Sequence, residues 1–542
     1  MRNPYLWIIA AVLLVYAHTA FFGFTGLDDS ELIVSNSDFI SEISNIPKAF
    51  FSRVFPHLPA PYYRPILTVT FMLDAVLAGR DPAVYHITNI IIHAAASCLL
   101  FYVLSRLGLG LHASVFLALL FAVHPALAQG VAWIPGRNDS LMALFALASF
   151  AAFLNYLDRR RPADYLAHMA FFVAGLFTKE TSAMLALICL LYLRVAPGRR
   201  LSRREFAAFV LGWAAAAAVW FLMRHAALKN TPEFNVYSAA ESFFVSLPAV
   251  IQYIGKVLMP FNLSVFPTIY DTTFVYGVAS VLAVSVALRL SAGKNPRLVI
   301  FGMAWFLLFL APSLVRPSAA AVHDFQEHRL YLPMAGAMIA LGGSGLLKDI
   351  AVSKRTQLLC AGILALFAFI NIRYSSSFAD KISFWDAAVE GSPRSWLTHY
   401  RKASVLHEDG RLDEAEREYL RAVGLDRVSS PAYAGLGRLY ADRGAPDGAE
   451  PALRKALAAC PLNYPCNLEL GAIYYKQGRL SEAAAMWISV LKIQPGNETA
   501  LKNMAILCAE EGDAVSARFY ADKMLRGGMA VPPEFLKRIG YE

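Results

Sequence analysis

Charged side chains are scarce in this chain. Asp, Glu, Lys and Arg make up 16% of its 542 residues, where a soluble domain carries about 25%, and the mean hydropathy is +0.46. That balance excludes an ordinary soluble globular protein. Cysteine is scarce too, six in all, and none of the spacings is that of a zinc site. There is no Walker A loop, no G-x-G-x-x-G turn and no G-x-S-x-G elbow, so the commonest signatures of nucleotide, dinucleotide and α/β-hydrolase chemistry are missing. No A-x-A-like cleavage site follows the first apolar stretch, Tyr5 to Phe24, which has no Asp, Glu, Lys or Arg. It exceeds the roughly 7–15 residue core of a signal peptide and reads as a retained first span.

What the chain has instead is a succession of apolar runs of bilayer-crossing length. Spans are expected near 5–24, 87–105, 113–132, 139–157, 165–178, 180–195, 206–223, 274–291, 298–314, 331–346 and 358–373, about eleven in all. The basic clusters at 158–164, 194–205, 289–297 and 347–357 are placed on the cytoplasmic side by the positive-inside bias. The first 373 residues hold 28 Lys/Arg against 18 Asp/Glu, and the rest 21 against 22, so the net charge of +9 is a topology signal rather than a nucleic-acid patch. The N-terminus is then inside and the residues after 373 outside. The apolar segment 242–260 would reverse that order if it crossed, and is read as an interfacial or re-entrant helix capped by Pro260. In the first outside loop, 25–85, the apolar spacing of "SNSDFISEISNIPKAFFSRVF" suits one or two amphipathic helices on the membrane surface.

The C-terminal part repeats. Gly410, Gly444, Gly478 and Gly512 stand 34 residues apart, as do Ala415, Ala449, Ala483 and Ala517, and the small residues Ala403, Gly437, Gly471 and Ala505. A period of 34 with small residues where paired helices cross is the tetratricopeptide pattern. It gives four units over 397–532, with a connecting helix over 374–396 before them and a short tail, 533–542, after. Cys460 and Cys466 are close enough to pair if the region is extracytoplasmic, or are two free thiols. Cys98, Cys189 and Cys360 lie in apolar runs, as packed thiols.

The unusual polar clusters all fall at the outside ends of the spans. They are Asp28, Asp29 and Glu31; Arg64; His124, Arg137 and Asp139; Lys179 and Glu180; and Glu327, His328 and Arg329. Charge at a membrane edge is costly and signals function by default. Each cluster also has a plain reading. The acidic trio suits a solvated N-terminal turn, Arg64 an interfacial snorkel, Arg137 with Asp139 a span-end ion pair, Lys179 with Glu180 a turn, and Glu327 with Arg329 a mutual pair. His93 reads as a packed core histidine, and His86 stands near the loop's end. Convergence favours function: carboxylates on one loop and cations on others, all on one side, suit an anionic lipid phosphate and an acceptor that needs a base.

In "LDDSELIVSN", "YYRPI", "HPALAQGVAWIPGRNDSL", "FTKE" and "EHRLYLP", followed by the repeats, the sequence resembles the GT-C glycosyltransferases. The resemblance is to the transmembrane and tetratricopeptide-repeat protein O-mannosyltransferases and their bacterial relatives, over nearly the whole chain. It implies an all-α fold: a polytopic GT-C-like membrane domain, 1–373, then an extracytoplasmic α-solenoid. It implies a sugar donor linked to a polyprenyl phosphate and used on the extracytoplasmic face. It places a catalytic acidic pair, here Asp28 and Asp29, at the end of the first span, with Asp28 as general base toward a Ser/Thr hydroxyl and inversion at the anomeric carbon. A positioned base contributes about 10²–10⁴-fold. The donor phosphate would be held by Arg137, Lys179 and Arg329, with Arg64 and His124 behind them, and supported by Glu31, Asp139, Glu180, Glu327 and His328. Gln129 stands where many relatives have an acidic residue, and 224–273 aligns with no family motif. A divalent cation, Mg²⁺ or Mn²⁺, is left open; Asp28, Asp29 and Glu31 carry oxygens that suit one.

The partners expected are the donor lipid, the surrounding membrane and an exported acceptor protein, with no nucleic acid. The repeats would bind that acceptor and raise its local concentration to about millimolar, or serve assembly with another envelope protein. Short loops and lean repeats favour a bacterial inner membrane with the repeats in the periplasm; in a eukaryote the site would be the endoplasmic reticulum. The competing readings are transfer to a lipid or surface glycan, and a non-enzymatic envelope scaffold. A transporter is disfavoured because the spans show no internal duplication.

Overall fold

The computed structural model describes residues 3–56, 61–196, 198–228, 235–269, 271–291, 293–315 and 325–541. It is helical from end to end, with no β-strand among the described residues. It divides into two compact units, Met1–Ser392 and Pro393–Glu542. His323 and Asp324, which open one of the charged motifs, lie outside the described residues.

Among the described residues of the first unit, six helices are long and apolar enough to cross a membrane: Pro4–Phe21, Pro82–Arg106, Ile134–Arg159, Arg203–Ala227, Pro296–Leu314 and Lys354–Phe378. A seventh span is possible as a pair, Leu111–Val123 and Pro125–Ala132, bent by 53° where Pro125 interrupts the ladder. The other four segments expected to span are helical but short: Pro162–Thr178, Met184–Val195, Val275–Leu290 and Tyr331–Gly343 have 17, 12, 16 and 13 residues. A straight crossing takes about 20 residues. Apolar loop residues had lengthened the apparent runs, and the breaks fall at polar stops such as Lys179. Segment 242–260 is two helices, Val236–Ser246 and Ala249–Leu258, parted at Pro248.

Small residues set the helix packing. A Cβ on Gly302 would stand 2.4 Å from Ala340 N and 2.5 Å from Gly336 O. Helices Pro296–Leu310 and Tyr331–Gly343 therefore touch backbone to backbone, as membrane helices do at small-residue seams. The Arg203–Ala227 and Lys354–Phe378 helices keep most of their surface outside the protein core, as lipid-facing helices must, since all their backbone groups are paired internally.

The first outside loop differs from the expected surface helices. It forms single turns, Ser37–Ile40 and Ile46–Ala49, whose Ile40 and Ala49 are buried with Val54 and Phe55 against Leu67, Phe71 and Met72. Those three belong to helix Pro65–Ala78. The apolar spacing in this loop serves a small core of its own.

The second unit is four helix pairs: Trp396–Glu408 with Leu412–Leu425, Ser430–Asp442 with Pro446–Ala459, Tyr464–Lys476 with Leu480–Ile493, and Glu498–Glu510 with Ala514–Arg526. The 34-residue glycines explain themselves here. Gly410, Gly444, Gly478 and Gly512 have φ of +76°, +70°, +74° and +80°, the left-handed turn that only glycine enters without strain. The small residues sit where helices cross: a Cβ on Gly471 would reach Trp487 Nε1 at 2.4 Å, and the four alanines of the second column are fully buried. Cys460 and Cys466 are free thiols.

Candidate functional site

The acidic turn opens just past the first span. Gly23 N donates to Ala379 O at 2.7 Å. Asp29 then folds back onto Thr25, whose backbone N and hydroxyl donate to Asp29 Oδ2 at 2.5 and 3.0 Å. Asp29 is buried and its second oxygen, Oδ1, has no hydrogen-bond partner among the described residues. Burial pushes its carboxyl up, and the Thr25 bonds hold it back in part. Asp28 and Glu31 are half-buried; Ser30–Val34 is a π-helical turn, a distortion frequent at functional sites. The trio does not close as a metal site: no three His, Cys, Asp or Glu side chains among the described residues could together hold an ion.

A buried contact chain leads from this turn to the cations. Trp133 Nε1 donates to Thr25 Oγ1 at 3.2 Å, and the Trp133 ring lies 5.5 Å from that of His328. His328 Nε2 is 3.8 Å from Asp139 Oδ2, and Lys179 Nζ donates to both Asp139 oxygens at 2.7 and 2.8 Å. His328 Nδ1 is buried without a partner among the described residues. Burial, then Lys179, Arg329 and Arg64, hold the imidazole well below its ordinary value, so it is neutral. Those three cations thus act on one ring. Burial also lowers Lys179, against the pull of Asp139. Arg64 stands 4.7 Å over the Tyr62 ring and 3.8 Å from Glu180, with Nε unpartnered among the described residues.

Local sequence builds this arrangement. Lys179 ends helix Pro162–Thr178 in an extended conformation, φ −158° and ψ 133°, which turns its side chain out of the helical row. Gly175 lets the following turn close, since a Cβ there would stand 2.3 Å from Ser182 Oγ. The 124–136 loop crosses itself: a Cβ on Gly136 would stand 2.2 Å from Gln129 O. Gln129 is a neutral bracket. Its Nε2 donates to Val265 O and Gln326 Oε1, and its Oε1 accepts from His328 N at 3.0 Å. A carboxylate could accept but not donate there.

Three expected site residues are placed elsewhere. Arg137 is fully buried and spends its guanidinium on protein: Asn89 Oδ1 at 2.6 Å, Thr70 Oγ1 at 3.3 Å, Tyr85 O at 2.8 Å and Asp74 Oδ2 at 2.6 Å. Buried and engaged on these four contacts, it is not presented to a phosphate. His124 Nε2 donates to Val257 O at 2.9 Å and Nδ1 accepts from Ala126 N, so both ring nitrogens are used in packing. Glu327 pairs with Lys256 and accepts from Ser264 N at 2.9 Å. His93 is a core histidine between Tyr331 Oη and Ala122 O. Sequence reasoning missed Thr25, Trp133, Asp74, Asn89 and Lys256. Trp133 alone carried a signal, as the one indole inside a charged motif.

The comparisons with known proteins agree with this division. The family described as dolichyl-phosphate-mannose-protein mannosyltransferase matches residues 70–224, and tetratricopeptide-repeat families match 398–428 and 440–498. The human protein O-mannosyl-transferase TMTC4 is 34% identical over 171 residues, 28% of this chain and 23% of the relative. The human protein O-mannosyl-transferase TMTC1 is 24% identical over 456 residues, 70% of this chain and 50% of the relative. The chain thus spans from about a quarter to half the length of these relatives. Among solved structures, the MamA protein matches over 30% of this chain and 92% of its own, at 21% identity and a TM-score of 0.26. With a stretch similar to the mannosyltransferase family ahead of tetratricopeptide repeats, the chain is similar to the protein O-mannosyl-transferases TMTC1 and TMTC4.

Proposed function

We propose that this integral membrane protein transfers a sugar from a polyprenyl-phosphate-linked donor to Ser/Thr hydroxyls of exported proteins, on the extracytoplasmic face, as an O-mannosylation-type enzyme. The observation that carries the reading is the buried contact chain Asp29–Thr25–Trp133–His328–Asp139–Lys179. It joins an acidic turn to the Lys179 cation within one body of the fold.

Asp28 is the general base in this reading. It is half-buried and so within reach of an acceptor, whereas Asp29 is 1% exposed and serves to lock the turn. Asp28 takes the proton of the Ser/Thr hydroxyl as its oxygen bonds to the anomeric carbon. The bond from that carbon to the phosphate oxygen breaks with inversion, and the electron pair leaves on the polyprenyl phosphate. Arg64, Lys179 and Arg329 then meet the charge that develops. Fixed cations in a water-poor site are strongest at that moment, because they need no reorganisation. Neutral His328 adds hydrogen bonding without adding charge. Arg137 and Glu327 act only by holding helices together.

The gene is deleted and complemented with wild type, Asp28→Asn or Asp29→Asn at matched expression, and envelope proteins are compared by glycopeptide mass spectrometry. Specific Ser/Thr glycopeptides should vanish on deletion and return only with wild type. An unchanged set of glycopeptides would point to a lipid or glycan acceptor, or to a scaffold.

A further inference from the structure

The first helices of three successive repeats, Trp396–Glu408, Ser430–Asp442 and Tyr464–Lys476, wall a cavity of about 530 Å³. That is within the range of a ligand pocket, about 300–1,000 Å³. Its walls combine aromatic faces with carboxylates. Tyr400 and Tyr419 line one side, their rings 6.2 Å apart and tilted by 45°. Glu408, Asp442 and Glu469 line the rest, and Arg438 is the only Lys or Arg among the described lining residues.

Arg438 does not neutralise the cavity. Its side chain is 68% exposed and its Nε is 3.7 Å from Glu469 Oε1, a weak contact in that much solvent. Asp442 accepts from or pairs with His407 at 3.0 Å, which leaves the carboxylates in excess. Burial pushes the Glu469 carboxyl up, and Arg438 offsets it only in part; a further cation would relieve that cost. The space itself is kept by Gly435. A Cβ there would stand 2.3 Å from Tyr419 Cε1, so glycine lets the ring lie flat against the wall.

We propose that this cavity binds a lysine or arginine side chain of an extended polypeptide segment, held between the Asp442 and Glu469 carboxylates and the face of Tyr400. Ring faces attract cations within about 6 Å, and the carboxylates supply the charge. That the segment belongs to the glycosylation acceptor rests on the function proposed above; the selection of a cation does not. For that acceptor, the repeats would choose Ser/Thr-bearing segments by a neighbouring basic residue.

The test uses the full chain in nanodiscs and fluorescein-labelled Ser/Thr-rich peptides of one sequence, with a central Arg, Lys, Gln or Glu. Fluorescence polarisation reads binding. The Arg and Lys peptides should bind about tenfold or more tighter than the Gln peptide, and the Glu peptide more weakly still. Asp442→Asn with Glu469→Gln, at wild-type helicity, should weaken the Arg peptide about tenfold and abolish its preference over Gln. Should that double variant lose helicity, Tyr400→Leu carries the same expectation. Equal binding of Arg and Gln peptides, or an unchanged Arg preference in a folded variant, would overturn the proposal. Sugar transfer is measured in parallel. Cation-selective binding without transfer would keep the cavity and remove the enzyme reading, and transfer without cation selectivity would do the reverse.

Discussion

Trp133 donates its indole N–H to the hydroxyl of Thr25 at 3.2 Å, and that hydroxyl donates in turn to Asp29. One side chain thus holds a residue of the acidic turn from a distance of 108 positions in sequence. Thr25→Val removes both bonds at nearly constant shape. The Thr25 N–H still reaches Asp29, but the buried Trp133 N–H is stranded; an unsatisfied buried group costs about 1–3 kcal/mol, and if that cost is felt at the transition state transfer falls about 10- to 100-fold. Thr25→Ser should restore most of it. Loss in Val and recovery in Ser, measured as initial transfer rates at equal membrane content, identifies the hydroxyl; equal activity of the two would remove it from the mechanism.

Arg137 is expected to behave as a structural residue although it sits in one of the charged motifs. Its ion pair with Asp74 is buried, with side chains 0% and 4% exposed. Removing one partner of such a pair costs about 3–5 kcal/mol because the other charge is stranded. Arg137→Met should therefore reduce the amount of folded protein, seen as aggregation on size-exclusion chromatography. Arg137→Met with Asp74→Leu should recover folded protein, since replacing the whole pair by apolar groups is often neutral. A well-folded Arg137→Met whose only defect is weak donor binding would contradict this.

The two cases show what the sequence could and could not reveal. The tetratricopeptide register was readable because each column has a local cause: a left-handed glycine, a helix crossing, a packed alanine. The acidic turn and Lys179 were readable as charge at a span end. The roles of Arg137 and His124 were not, because a charge count carries no distance. Asp74 lies inside the apolar run Pro65–Ala78, where one carboxylate looks like noise until Arg137 is seen against it. The shortness of four of the expected spans was not legible for a related reason. Hydropathy measures composition, whereas the ends of helices such as Met184–Val195 are set by where the backbone turns.

Arg64 is the cation whose loss should be felt in transfer rather than in folding. Its ion pair with Glu180 is long and its Nε is unpartnered among the described residues, so little structure depends on it. Arg64→Gln should keep wild-type expression and helicity and lower kcat/KM for the polyprenyl-phosphate donor by about 10²-fold, the usual effect of losing one group that stabilises developing charge. Arg64→Lys should regain part of that loss. Reduced folded protein in Arg64→Gln would move the residue to the structural group beside Arg137.

Acid should weaken the repeats through Glu418. This residue accepts from His399 Nδ1 at 2.6 Å and lies near Lys402 and Arg421. Burial works against its charged form, but the His399 bond and the Lys402 charge outweigh it and hold the carboxyl below its ordinary value of 4.5. The folded state then binds the proton less readily than the unfolded one. The stabilisation is complete above the unfolded pKa, near 4.5, and is lost as pH falls through the lower, folded value. The thermal midpoint of the repeats should therefore drop between about pH 5 and pH 3, followed by circular dichroism on the full chain. Glu418→Gln should lower the midpoint at pH 7 and flatten the profile over that interval. A variant profile parallel to wild type across the whole range would show that the acid sensitivity lies in other carboxylates.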